Sequence, residues 1–202
     1  MRTAQVIREL APLDETQIHG VTYDGERVWF ARDNELIAFD PKQEKVVRRF
    51  AIPGAGAGTA FDGTHLYQLA NEEILVVDPE NGRTVRRLPA PKGGSSGMAY
   101  SDGYLWVGQY RAAKIQKLDA QTGEVVKTLS SDRFVTGVSC VDGELWHATG
   151  NEGPCELRKL SPDGTVQESY RVDDVGHISG IERTPEGFWC GGEHGKLRLL
   201  RT

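Results

Sequence analysis

The sequence predicts an all-β protein built from five copies of one four-stranded unit. The first observation is a recurring Asp-Gly or Glu-Gly turn, with its glycine at positions 25, 63, 103, 143 and 187. The second is an aromatic residue in the apolar run after each turn. The third is another glycine, which recurs a few residues before each turn. The copies are 38 to 44 residues apart, the length of a four-stranded propeller blade. We therefore expect a closed five-bladed β-propeller with antiparallel blades.

Each copy reads as four short apolar runs separated by turns that contain glycine, as in a series of β-hairpins. The first run follows the recurring glycine, and the second holds the aromatic residue. We interpret this aromatic column as packing between blades; its members are Trp29, Tyr67, Trp106, Trp146 and Trp189. The third and fourth runs complete the blade, and arginines in the fourth run are typical of an exposed outer strand.

The fifth copy has only three runs, and the missing one lies at the start of the chain. Residues 6–10 (Val-Ile-Arg-Glu-Leu) resemble residues 46–50 (Val-Val-Arg-Arg-Phe) of the first copy. The N-terminal strand should therefore complete the last blade and close the ring, which removes free sheet edges. The predicted single domain spans 1–202, with blades at about 18–53, 57–91, 96–130, 135–172 and 178–202 plus 4–11.

Composition excludes several classes of protein. The chain has 24 Lys and Arg against 29 Asp and Glu, a net charge of −5, which disfavours binding to nucleic acid or to an anionic membrane. No apolar run is long enough to span a bilayer, and no leader-like segment opens the sequence, so we expect a cytoplasmic monomer. No phosphate-binding glycine loop is present, so no nucleotide cofactor is expected.

Cys140, Cys155 and Cys190 are odd in number and lack CxxC spacing, which favours reduced, buried thiols.

His19 is the first candidate for a functional residue. It precedes the recurring glycine of the first copy, where the other copies have the small residues Ala57, Ser96, Thr136 and Ser179. In a propeller the loops that lead into the first strands converge at one mouth of the central channel, where ligands commonly bind. Because imidazole titrates near neutrality, we predict His19 to be a catalytic base. The alternative is a local hydrogen-bonding residue.

Glu182 is the second candidate. The other copies carry Thr22, Ala60, Ala99 and Ser139 at its place in the first strand. A carboxylate in the channel wall needs a partner, because an isolated buried charge is costly. We predict Glu182 to be catalytic together with His19, its partner being a metal ion, a cationic ligand or an arginine. A water-filled channel that solvates it is the alternative.

A metal site is predicted from Asp33, Glu193 and His194, which follow the second strands of blades that adjoin once the ring closes. Carboxylates and imidazoles of this kind are suitable ligands for a divalent cation, here Mg²⁺ or Ca²⁺. The alternative is a set of ordinary polar loop tips.

Substrate-binding residues are predicted in two places. One is the loop after the second strand, which is longest in the third and fourth copies, and the other is the segment that leads into the first strand of the fifth copy. These residues are Gln109, Tyr110, Arg111, Asn151 and His177. The sequence thus favours a small-molecule ligand that is bound or turned over at the channel mouth. The alternative is a non-enzymatic scaffold for protein interaction.

Two family resemblances accompany these patterns. Residues 18–25 (Ile-His-Gly-Val-Thr-Tyr-Asp-Gly), 141–146 and 178–181 resemble the five-bladed glutaminyl cyclases, or glutamine cyclotransferases, over essentially the whole chain. The resemblance implies a cyclotransferase-like acyl transfer. That family typically has Gln, an acid and Asn where this chain has His19, Ala57 and Ser179.

The second resemblance is weaker. Residues 19–22 (His-Gly-Val-Thr) and 28–30 (Val-Trp-Phe) are similar to blades of the virginiamycin B (streptogramin) lyases. That similarity implies magnesium-dependent elimination with a histidine base at the channel mouth. His19, Asp33 and Glu193 would then match the base and the acids near the metal.

Overall fold

The architecture is all-β and is built from antiparallel hairpins. The computed structural model describes residues 2–11, 14–150, 153–173 and 175–202. Three sheets are separate and four-stranded: β2–β5 (His19–Tyr23, Val28–Arg32, Glu35–Asp40, Lys45–Ala51), β6–β9 (Ala55–Phe61, Leu66–Ala70, Glu73–Val77, Thr84–Pro89) and β10–β13 (Ser95–Ser101, Tyr104–Gln109, Lys114–Asp119, Val125–Ser130).

The other eight strands form one sheet in the order β14-β15-β16-β17-β1-β20-β19-β18. Their bounds are β1 Arg2–Leu10, β14 Val135–Val141, β15 Glu144–Thr149, β16 Cys155–Leu160, β17 Val166–Val172, β18 Ile178–Thr184, β19 Gly187–Gly192 and β20 Leu197–Arg201. A short 3₁₀ helix, Glu193–Gly195, precedes β20. The described residues contain no helix with the length and apolar character needed to cross a membrane.

β1 explains why this sheet has eight strands where the sequence predicted two separate blades of four. Most of β1 pairs antiparallel with β20, as the repeat of residues 46–50 in residues 6–10 suggested. Its first three residues also pair in parallel with β17, from Arg2 opposite Tyr170 to Ala4 opposite Val172. The nine-residue strand is thus long enough to join both groups of four strands.

The recurring Asp-Gly turns are held by the aromatic residues that follow them. The Asp24 carboxylate accepts hydrogen bonds from the backbone N–H groups of Glu26 and Arg27 and from Nε1 of Trp29, at 2.7–2.8 Å. In the second copy Tyr67 donates its hydroxyl to Asp62 at 3.0 Å. The aromatic column therefore fixes turns as well as filling the core.

The first strand of each copy packs against the first strand of the next, and β18 packs back against β2. A Cβ atom added to Gly97 would lie 2.4 Å from the backbone nitrogen of Val138, and one on Gly180 would lie 2.7 Å from that of Val21. Only glycine permits this close approach. The same relation links each of the five, so we call Gly20, Gly58, Gly97, Gly137 and Gly180 the glycine ring.

The three cysteines are buried and unbonded, in accordance with the expectation of reduced thiols. Burial raises the pKa of all three, and that of Cys190 reaches about 12. Their thiols are therefore protonated at neutral pH, which makes them poor nucleophiles.

Candidate functional site

Two cavities lie on opposite sides of the glycine ring. The first, the histidine cavity, has a volume of about 230 Å³ and includes the residue that precedes each of the five ring glycines. Its lining residues are Gln17, His19, Gly56, Ala57, Ser95, Ser96, Tyr110, Thr136, His177 and Ser179. His19 and the equivalent residues of the other copies thus converge on one cavity, as the sequence predicted.

His19 and His177 are the two imidazoles of the histidine cavity, and both are half-buried. Burial lowers the pKa of His19, the charge of His177 lowers it further, and Asp33 opposes the shift. Burial also lowers the pKa of His177, against the opposing effect of Glu193. Both imidazoles are therefore mainly neutral at pH 7 and able to accept a proton.

The hydroxyl groups of the histidine cavity differ in what they bind. Ser96 donates to the carbonyl oxygen of Val135 at 2.6 Å, and Ser179 donates to that of Ile18. Both bonds tie one first strand to the next. Thr136 is 2% exposed, and its Oγ1 has no hydrogen-bond partner among the described residues. Buried hydroxyls are rarely left unpaired, so Thr136 is a candidate ligand contact.

The second cavity, the glutamate cavity, has a volume of about 660 Å³ and opens at the Asp-Gly turns. Glu182 lies in its wall with 8% of its surface exposed. Thr22 and Ser139 donate hydroxyl hydrogen bonds to its two carboxylate oxygens, at 3.0 and 3.1 Å. Burial raises the pKa of Glu182 to about 7, although both hydrogen bonds act to lower it.

His19 and Glu182, which the sequence predicted to act as a pair, line different cavities. The reason is depth along the strand. Thr22, which contacts Glu182, lies three residues beyond His19 on β2, roughly 10 Å at the rise of an extended chain. The glycine ring lies between these two levels, so the structure does not bring the predicted pair together.

The predicted metal residues Asp33, Glu193 and His194 are all exposed. Asp33 starts the tight turn between β3 and β4, where its φ and that of Asn34 are positive, and it contacts the guanidinium of Arg32 at 3.3 Å. His194 also has a positive φ, within the 3₁₀ helix. In the part of the chain that the structure describes, no three His, Cys, Asp or Glu residues lie close enough to hold a metal ion. The described residues therefore offer no three-ligand cluster for Mg²⁺ or Ca²⁺, and the metal site stays a prediction.

The predicted substrate-binding residues separate into groups. Tyr110 and His177 line the histidine cavity, and Tyr110 stacks on Phe134 with ring centroids 4.9 Å apart. Gln109 is 3% exposed and donates to the carbonyl oxygen of Lys92, which gives it a structural contact. Arg111 is exposed and is not part of either cavity wall. Asn151 lies outside the described residues.

Sequence reasoning missed the aromatic wall of the glutamate cavity. Tyr23, Phe61 and Tyr100 lie at the same position of three copies, directly after the Glu182 column, and Trp189 joins them from β19. The repeated aromatic residue was visible in the sequence. What it did not reveal was that the neighbouring turns leave space between these rings.

The fold is similar to that of a glutaminyl cyclase. The crystal structure of the Myxococcus xanthus glutaminyl cyclase superposes with a TM-score of 0.83 at 15% sequence identity, covering 99% of this chain and 96% of that one. The Kuenenia stuttgartiensis hydrazine synthase superposes with a TM-score of 0.58 at 17% identity, covering 88% of this chain and 56% of that one. No family model and no curated protein matches the sequence. At these identities the likeness establishes the fold, and function has to be argued from the site.

Proposed function

We propose that this protein binds an amino-acid-sized polar molecule in the histidine cavity and catalyses a cyclotransferase-like intramolecular acyl transfer. The observation that carries the proposal is the convergence of three side chains on one small cavity. These are the neutral imidazoles of His19 and His177 and the unpartnered hydroxyl of Thr136. The similarity in fold to a glutaminyl cyclase favours this reaction class over other proton-transfer chemistry.

We also infer that the eight-stranded sheet is two blades of a closed five-bladed ring. The order of contacts between first strands, with β18 against β2, supports this count. The glycine ring supports it too, because its five members abut one another in sequence and the last abuts the first. The two cavities would then be the two mouths of one central channel.

The chemistry follows from cyclisation of an N-terminal glutamine, the simplest reaction of this class. The α-amine attacks the side-chain carbonyl carbon, a C–N bond forms, and the bond to the amide nitrogen breaks to release ammonia. His19 would accept the proton that leaves the attacking nitrogen and return it to the departing nitrogen. His177 would bind the substrate beside it. The Thr136 hydroxyl would donate to the oxygen that becomes negative in the transition state.

The test is turnover of short peptides with N-terminal Gln or Glu, followed by mass spectrometry as loss of ammonia or water. We expect at least one to be cyclised, and His19→Ala to lower kcat/KM by about 100-fold or more. His65→Ala is the matched control, because His65 is also half-buried but follows the Asp62 turn outside the histidine cavity. Its activity should equal that of the wild type.

Two results would overturn the proposal. If no peptide is cyclised faster than in buffer, the protein is not a cyclotransferase of this kind. If turnover occurs but is the same in His19→Ala, the chemistry lies elsewhere. Specific capture of a protein partner, unaffected by His19→Ala, would instead support the scaffold alternative.

A further inference from the structure

The glutamate cavity is not used by the proposed reaction, yet it is the larger of the two. Its volume of about 660 Å³ lies within the usual range of small-molecule sites. Its walls come from β1, from the first strands and the turns that follow two of them, from the turn between β4 and β5, and from β19.

The carboxylate of Glu182 is held in a fixed orientation. Thr22 on β2 and Ser139 on β14 donate to its two oxygens from the strands on either side of β18. The Ser139 hydroxyl also accepts the backbone N–H of Arg183 at 2.9 Å, which turns its own hydrogen towards Glu182. Each carboxylate oxygen keeps acceptor capacity for a further donor.

No cationic side chain of the described residues forms an ion pair with this carboxylate. The two arginines that line the cavity are paired elsewhere: Arg183 contacts Glu144 at 2.6 Å, and Arg8 contacts Glu44 at 2.9 Å. A buried charge without a counter-charge is costly, so the site lacks a positive charge to pair with the Glu182 carboxylate.

The walls around Glu182 suit a positive charge on an apolar frame. Tyr23, Phe61, Tyr100 and Trp189 supply aromatic surface on several sides of the cavity. The face of an aromatic ring attracts cations, and its area covers an apolar body. An anionic ligand would instead have to lie against the Glu182 carboxylate and the exposed Glu186.

We propose that the glutamate cavity is a second ligand site, which binds a small organic cation, a protonated amine or amidine on an apolar frame, with the Glu182 carboxylate as its counter-charge. The site is separate from the histidine cavity and stands whether or not the proposed function is correct.

The affinity of such a ligand should depend on pH through Glu182, because the ionised carboxylate is the binding form. Burial raises the pKa of Glu182 to about 7, so affinity should rise with pH up to about 7 and then level off. The other titratable or charged groups around it are Tyr23 at the end of β2, Asp24 in the turn after it, Cys140 on β14, Tyr100 on β10, Arg183 on β18, and Arg8, Lys42 and Glu186 at the rim.

The test compares benzamidine, which stays cationic between pH 5.5 and 8.5, with its neutral isostere benzamide, by calorimetry or chemical-shift titration. At pH 8.5 we expect the wild type to bind benzamidine at least about tenfold more tightly than benzamide. The benzamidine affinity should fall about 30-fold at pH 5.5, where Glu182 is protonated. Benzamide binding should not change with pH.

Glu182→Gln keeps the shape of the side chain and removes the charge. It should abolish both the preference for benzamidine and the pH dependence. Glu186→Gln is the matched control, since Glu186 lies at the exposed rim of the same cavity. His19→Ala should bind benzamidine as the wild type does, which separates this site from the histidine cavity.

Ser139→Ala provides a test that does not depend on the folding of Glu182→Gln. Loss of one hydrogen bond to the carboxylate should move the pH midpoint of benzamidine binding upwards. The proposal is overturned if wild-type protein fails to bind benzamidine at pH 8.5, or binds it no better than benzamide. It is also overturned if folded Glu182→Gln retains the preference.

Discussion

The two cavities are built by the same five strands, yet they differ in chemistry. The histidine cavity, at about 230 Å³, includes residues that precede ring glycines, and its imidazoles are half-buried beside the exposed Asp33 and Glu193. The glutamate cavity, at about 660 Å³, includes residues that follow ring glycines, and its buried carboxylate has no counter-charge in the part of the chain that the structure describes. The comparison teaches that one repeat can offer two different sites, because each strand presents different residues on either side of its glycine.

The glycine ring lies between the residues that line the two cavities, and breaking it should have the largest effect. Gly97→Ala places a methyl group 2.4–2.5 Å from the backbone of Gly137 and Val138. Because backbone atoms of a packed strand cannot move aside, we expect a loss of more than about 3 kcal/mol in the free energy of unfolding. Urea denaturation measures the loss.

Gly137→Ala is the internal control for that experiment. Its methyl group would meet the backbone of Gly180 and Ile181 at 2.9–3.2 Å, a milder collision. The loss of stability should therefore be smaller than for Gly97→Ala. Equal effects would mean that close approach is not what requires glycine in the ring.

Charge burial is the second difference between the cavities, and it should be visible in stability. The folded-state pKa of Glu182, about 7, lies above the ordinary value of 4.5. Between these pH values the folded protein holds a proton that the unfolded chain has lost, so Glu182 reduces stability as pH rises through this window. Glu182→Gln lacks this penalty. It should be more stable than the wild type by up to about 3 kcal/mol at pH 8 and nearly equal to it at pH 4.5.

Urea denaturation of both proteins across this range measures the difference, in which the titration of all other groups largely cancels. A difference that does not change with pH would contradict a buried Glu182 that titrates near pH 7. A stability gain on losing this charge is what a ligand site predicts, since functional groups are commonly retained at a cost in stability.

Thr136 sharpens the comparison at the histidine cavity, with the smallest expected effect. Its hydroxyl lacks a partner among the described residues, so Thr136→Val should leave stability unchanged or raise it by about 1 kcal/mol. Turnover should fall if the hydroxyl contacts the reacting group. Ser96→Ala, in the same column, should lose about 1 kcal/mol, because Ser96 bonds the carbonyl of Val135. Thermal melts and kcat/KM measure the effects of the two substitutions. A destabilised Thr136→Val would mean that the Thr136 hydroxyl makes a contact that stabilises the fold.

The sequence predicted much of this architecture because the repeat is written in residues whose roles are local. Asp24, Gly25 and Trp29 specify a turn and its brace within six positions of the chain. The match of residues 6–10 to residues 46–50 predicted the partner of β20, because fourth strands share one apolar pattern. The parallel contact of β1 with β17 had no such signal, since it depends on how far β1 extends past β20.

Comparison of the five copies was enough to predict that His19 and Glu182 are exceptional and that His19 lies where the loop enters its first strand. Only the tertiary structure decided that they belong to different cavities and that Asp33, Glu193 and His194 form no three-ligand cluster with their neighbours. The reason is that a repeat fixes which way a side chain points, through contacts a few residues apart. Depth, cavity volume and the supply of a counter-charge depend on groups brought together from distant strands, as Thr22 and Ser139 are at Glu182.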